Sequence, residues 1–233
     1  MDYQPYPTKG QLASNINLEL ASLKRKIHIE QADVFCYVVA TIKNRNGQLF
    51  QTGSAPNFQG DLVSLCTCKH LMRTAMDPEE WVGKWIAGFS SLAAGNRANV
   101  LVYLMKVGFS FNSQQSLWLS DEIAEEAKQA KLANTSQFGD IYQPKNQISD
   151  PFSFQSYLYP VENHVHCENN NWQKDINYEG YKGRGAALLI GDPSYSFLWN
   201  KPMIFRKGTL GRGYNKKDNL QALLDERLEE LKR

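Results

Sequence analysis

The densest reactive stretch in the chain is Cys66-Thr67-Cys68-Lys69-His70. Two thiols and an imidazole within five residues could offer soft metal ligands, and His164-Val165-His166-Cys167 could supply more. Structural zinc takes two separated ligand pairs with two to four residues inside each, and this spacing departs from that rule. On a strand, Cys66 and Cys68 share one face while Thr67 and Lys69 share the other. The expectation is therefore that these thiols pack as small apolar side chains, with no metal and no other cofactor. The same residues could instead hold a nucleophilic cysteine, with His70, His164 or His166 as base. The catalytic assignment stays open, and Asp61, Cys66 and Asp175 are the candidates.

Other chemistries are excluded or weaker. Gly83 and Gly88 have phosphate-loop spacing, but no Lys-Ser or Lys-Thr follows. Gly183-Arg184-Gly185 and Gly211-Arg212-Gly213 do not sit between a strand and a helix, as a dinucleotide turn requires. The run Arg206 to Lys217 is basic and glycine-bearing and carries Tyr214. Its Arg206, Lys207, Arg212 and Lys216 could reach a nucleic-acid backbone, joined by Lys182 and Arg184. A solvated linker is the competing reading. Trp81, Trp85, Phe89, Trp172, Tyr195, Phe197 and Trp199 could give a planar ligand a face, although core packing accounts for most aromatic residues.

The elements that must position these groups follow from pattern. Leu12, Ile16, Leu20, Leu23 and Ile27 recur at helical spacing, which predicts a helix over about 10–26. Val34–Ile42 reads as a buried strand and Asn44–Gly47 as a turn. Lys84–Phe89 and Val100–Val107 read as a hairpin. Ser120 to Ala133 reads as a helix capped by Ser120. Residues 134–185 read as loops with short strands, and Ala186–Ile190 as a buried strand. Leu220, Leu223, Leu224, Leu228 and Leu231 form one stripe that predicts a C-terminal amphipathic helix, a surface for homo-oligomer formation.

The 233 residues are 42% hydrophobic and 12% aromatic, enough for a packed core. No long uncharged apolar run suggests a membrane span, and the first ten residues lack a secretory pattern. A cytoplasmic setting with reduced thiols is the expectation. A net charge of +2 gives only slight support for an anionic partner.

Several segments together resemble one family. They are Ser54-Ala55-Pro56-Asn57-Phe58, Leu65-Cys66-Thr67-Cys68-Lys69 with Met72-Arg73, Trp85-Ile86-Ala87-Gly88-Phe89-Ser90, and Leu101-Val102-Tyr103-Leu104-Met105-Lys106-Val107. In that order they resemble the nucleotide modification associated domain family, second type, whose members run APNP…G…TLATCKP.IR…A..GDWV.G.GS…LIYAMKV. Asn170-Asn171-Trp172, Ala187-Leu188-Leu189-Ile190 and Tyr195-x-Phe197 resemble its C-terminal half, so the likeness covers about 35–200. One departure carries a charge: the family's Gly-Asp-Trp is Gly83-Lys84-Trp85 here.

The resemblance implies association with phage and bacterial systems that modify DNA bases, and a likeness to the PUA-like group, the EVE and ASCH domains. The implied fold is α+β: a mixed or antiparallel barrel-like core with flanking helices, including N- and C-terminal ones. The implied domains are a helical extension (1–30), the PUA-like domain (31–205), and a basic linker with a helix (206–233). The implied function is to hold a modified base, in DNA or as a nucleotide. Asn57, Thr67, Lys69, Arg73 and Ser90 would line the pocket and Trp85 would stack on the base. The alternatives are an enzyme acting on a modified base or nucleotide, as a glycosidic-bond hydrolase or transferase, and a non-catalytic scaffold.

Overall fold

The computed structural model describes residues 4–27, 31–161, 171–180, 183–211 and 215–231. In chain order its strands are β1 (Asp33–Val39), β2 (Ile42–Arg45), β3 (Gln48–Gln51), β4 (Ser64–Leu65), β5 (Trp85–Ser90), β6 (Asn99–Phe111), β7 (Leu188–Leu198), β8 (Ile204–Arg206), β9 (Asn215–Asn219) and β10 (Leu228–Glu230). The helices are short: α1 (Leu20–Lys26), α2 (His70–Arg73), α3 (Pro78–Trp81), α4 (Gln114–Leu119), α5 (Glu125–Ala130), α6 (Lys174–Asn177) and α7 (Leu220–Ala222).

The protein is α+β, and eight of its strands form one mixed sheet. The order is β10-β8-β6-β5-β1-β9, with β7 pairing with β4 and β6, while β2 and β3 form a separate hairpin. β1 runs parallel to β5, and β5 runs antiparallel to β6, as the hairpin reading of Lys84–Val107 expects. Among the described residues no ladder joins β10 to β9, so the expected barrel is an open mixed sheet here. The β2–β3 turn follows from Asn46 and Gly47, which both take positive φ (51° and 78°), while the Asn44 side chain accepts from the Gly47 amide.

The chain forms two compact units. One comprises 1–52, 83–107 and 191–233; the other comprises 53–82 and 108–190. In the first, Val34, Cys36 and Val38 on one face of β1 join Trp85, Ala87, Phe89, Phe197, Trp199 and Leu224 in a single core. On the other face, Tyr37 and Tyr103 meet edge to face with hydroxyls 2.6 Å apart. Gly88 pairs with both in register, and a Cβ there would stand 2.2 Å from the Tyr103 ring.

Among the described residues, the second unit holds two apolar clusters. Leu62, Cys66, Leu117, Ile123, Ala127, Ile141, Leu188 and Ile190 form one; Ala133, Tyr142, Tyr157, Trp172 and Ile176 form the other. α3 is started by Asp77 and Glu80 in a reciprocal capping box with Pro78 at the first helical position. This seats Trp81 in the interior, with its indole donating to the Arg73 carbonyl at 3.3 Å.

Three helix expectations change. The N-terminal pattern resolves into a 3-10 turn, Leu12–Asn15, and then α1, rather than one helix. The Ser120 cap does not start a helix: Ser120 ends α4, and α5 begins at Glu125. The C-terminal leucines make α7 and a turn of π-helix, Leu223–Arg227, before the chain extends into β10. There the Lys207 amide donates to the Arg227 carbonyl and the Leu231 amide to the Met203 carbonyl. Sheet pairing satisfies the backbone groups that a longer helix would have bonded internally.

Candidate functional site

The second unit holds two sets of polar groups, a buried one and one that His70 brings towards solvent. The first set centres on Lys131, just after α5 and fully buried. The Lys131 side-chain nitrogen donates to Asn57 Oδ1 at 2.5 Å and to Ser64 Oγ at 2.9 Å. The Ser64 hydroxyl donates to Asp140 Oδ2 at 2.8 Å, which also accepts from the Cys66 amide at 3.1 Å. Asn57 Nδ2 donates to the Phe138 carbonyl at 2.5 Å. Burial depresses the lysine to about 8, against the pull of the Asp140 carboxylate. Burial likewise pushes the Asp140 carboxyl up, offset by Lys131 and the Ser64 hydrogen bond. The Cys66 thiol is pushed well up by burial and by Asp140, which disfavours its thiolate.

Arg73, at the end of α2, is also fully buried. Its Nε donates to the Cys68 carbonyl at 2.8 Å, and its Nη1 to the Ala187 carbonyl at 2.6 Å. Backbone carbonyls receive this guanidinium, and the bond to Cys68 fixes the loop that carries it. Burial lowers its pKa, and the nearby Cys66, Asp175, Cys68 and Asp140 oppose that shift.

The second set faces solvent. His70, the first residue of α2, places Nε2 2.6 Å from Asp175 Oδ1, and Asp175 is buried at the start of α6. The other carboxylate oxygen accepts from the Tyr142 hydroxyl at 2.8 Å. Burial and the Asp175 carboxylate push the Tyr142 phenol well up, so it remains a donor. The His70 ring stacks on Tyr178, with centroids 4.9 Å apart and planes 20° apart. Tyr178 lines a cleft of about 280 Å³ with Asp77, Asn112, Phe152, Asn177 and Arg184. A narrow extension of about 10 Å³, sharing Asn112, Phe152, Tyr178 and Gly185, reaches Asp175. Arg184 is held at the rim by Asp77, 3.1 Å away. An imidazole fixed by a buried carboxylate can accept or donate a proton, and the aromatic wall can take a planar group.

The sequence candidates are distributed as follows. Asn57, Cys66, Thr67 and Arg73 are buried in the second unit, and Lys69 is partly buried beside Cys68 in left-handed backbone (φ 59°). Asp61 is partly buried in a 3-10 turn, while Asp175 is joined to His70. Trp85 and Ser90 lie in the first unit; Trp85 is 2% exposed in its core, and Ser90 is buried, its carbonyl accepting from the Asn99 side chain. Arg206 is buried at the end of β8, 3.9 Å from Asp218, and Lys207 is exposed. His164, His166, Cys167, Lys182, Arg212 and the side chain of Lys216 lie outside the described residues. Among the described residues no cluster of three metal-binding side chains occurs. No helix among them is long and apolar enough to cross a membrane.

Sequence reasoning missed Lys131, Asp140, Tyr142 and Tyr178. Lys131 lies within an Ala/Glu/Lys-rich run that reads as helix to Ala133, and its partners Asn57 and Ser64 are distant in sequence. His70 and Asp175 were each visible, but their pairing spans 105 positions.

No curated protein and no solved structure is significantly similar to the chain. The profile of the family described as nucleotide modification associated domain 2 matches residues 31–181, a span that includes His70, Lys131, Tyr142, Asp175 and Tyr178. The chain belongs to the nucleotide modification associated domain 2 family, and so to proteins associated with nucleotide-modification systems.

Proposed function

We propose that the cleft beside Tyr178 binds a single nucleotide or an extruded base, one carrying a modification in the systems this family accompanies. The observation that carries this reading is the Tyr178 ring, braced from behind by His70, in the same cleft as Phe152, Asn112 and Asn177. A nucleobase offers a π face and an edge of donors and acceptors, and aromatic rings with carboxamides match both. Arg184 at the rim is suited to a phosphate, for which it would exchange Asp77. A cleft of about 280 Å³ suits one nucleoside rather than a duplex. Of the polar residues first expected to line a pocket, Thr67 and Arg73 would act here by holding the loop that leads into α2, Thr67 through Ser54 and Arg73 through the Cys68 carbonyl.

The test is a titration of the full chain with free nucleotides and short oligonucleotides, unmodified and hypermodified, at several salt concentrations. Tyr178→Ala should weaken binding by roughly 5- to 150-fold, the value of one base–aromatic stack. Absence of binding to every one of them would overturn the reading.

A second reading, an enzyme acting on the same ligand, is favoured by the His70–Asp175–Tyr142 chain. The carboxylate fixes the imidazole and would stabilise it once protonated, as a general base requires. Product release abolished in both His70→Ala and Asp175→Asn, with ligand affinity retained, would select this reading over a pure binding module.

A further inference from the structure

Lys131 and Asn57 are 74 positions apart, fully buried, and in direct contact. We propose that they are covalently joined by an intramolecular isopeptide bond, formed autocatalytically with Asp140 and Ser64 as the proton-transfer pair. The inference is independent of the ligand reading, because none of these residues lines the cleft.

Four observations carry it. The Lys131 nitrogen lies 2.5 Å from Asn57 Oδ1, which holds the amine against that carboxamide. The nitrogen meets two acceptors, Asn57 Oδ1 and Ser64 Oγ. A neutral amine has two N–H groups and satisfies both, whereas an ammonium would leave a third N–H without a partner in a fully buried place. Burial lowers the lysine to about 8, which raises the share of that neutral, nucleophilic form. The amide is also held still, because its Nδ2 donates to the Phe138 carbonyl. Finally, Ser64 Oγ touches both the lysine nitrogen and Asp140, giving a proton path from one to the other.

The step balances without a co-reactant. The Lys131 nitrogen lone pair attacks Asn57 Cγ and forms a new C–N bond. The proton it sheds passes through Ser64 Oγ to Asp140. A proton from Asp140 goes to the Asn57 amide nitrogen, the old C–N bond breaks, and ammonia leaves. Nothing is oxidised or reduced. Proximity and desolvation supply what free lysine and asparagine lack in water.

The experiment is the intact mass of the purified, denatured full chain, followed by peptide mapping. The expected result is a mass lower than the sequence mass by one ammonia, with one branched peptide pair containing Asn57 and Lys131. Lys131→Met should restore the full mass. Asp140→Asn should raise the fraction of chains with full mass, and folding of both variants is checked by circular dichroism. A wild-type chain of full mass overturns the proposal. So does a loss of ammonia that persists in Lys131→Met, since a succinimide at Asn57 would also lose ammonia but needs no lysine.

Discussion

Lys84 explains itself through its neighbours. It stands where the family pattern has aspartate, and its ammonium lies 3.0 Å from Asp33 Oδ2, with Lys217 3.1 Å from the same oxygen. Burial pushes the Asp33 carboxyl up, but hydrogen bonds and charge from Lys84 and Lys217 pull it further down, to below its ordinary value. The folded chain therefore binds fewer protons at Asp33 than the unfolded chain does. The stabilisation is present above the unfolded carboxylate value and is lost as pH falls through the folded one. These groups are about a third exposed, so the pair contributes at most about 1 kcal/mol. Lys84→Met should lower stability by about 0.5–1 kcal/mol at neutral pH in urea melts, and the difference should shrink as pH falls through the depressed folded value of Asp33. A loss that stays the same across the acid range would assign the effect to the lysine stem instead. The sequence flagged Lys84 by its charge alone, because Asp33 lies 51 positions away and Lys217 far beyond it.

At the scale of elements, legibility followed local pattern and failed where tertiary contact decided. The β5–β6 hairpin was readable because both strands are apolar and a Gly/Asn loop joins them. The C-terminal leucine stripe was not, because Leu220, Leu224 and Leu228 fit a helical face equally well whether the last is in a helix or in β10. Pairing with β8 settles it, and that partner is invisible to periodicity. Gly88 is a similar case: its strand was legible, but its need for no side chain arises from Tyr103 across the ladder and Val39 alongside. Gly88→Ala would place a methyl group 2.2 Å from a carbon of the Tyr103 ring, whose hydroxyl is hydrogen-bonded to that of Tyr37. Overpacking of this kind costs about 1–3 kcal/mol, and here the ring has no free end to swing away. Chemical melts should show a loss in that range, and Gly88→Ala combined with Tyr103→Leu should recover part of it. A neutral Gly88→Ala would show that β5 shifts without penalty.

At the scale of the molecule, the chain weaves two cores from alternating segments. The first unit needs 1–52, 83–107 and 191–233 together, so three stretches separated in sequence close one core. The matched family span ends at residue 181, before β8, β9 and β10 and before Phe197, Trp199, Leu220 and Leu224. A fragment trimmed to 31–181 would leave Val34, Cys36, Val38, Trp85 and Phe89 without the residues that cover them. It would also expose the edge of β1 that pairs with β9. Exposed apolar side chains and an unpaired edge together favour association over folding. The second unit is affected differently, because truncation removes only Lys182–Ile190 from it, including the Ala187 carbonyl that receives Arg73 and the β7 residues paired with β4. The 31–181 fragment should therefore aggregate or lack a cooperative melt, whereas the full chain should melt cooperatively, with amide exchange slowest in β1, β5 and β6. A monomeric fragment with a sharp transition would mean that the C-terminal segment decorates the first core rather than completing it.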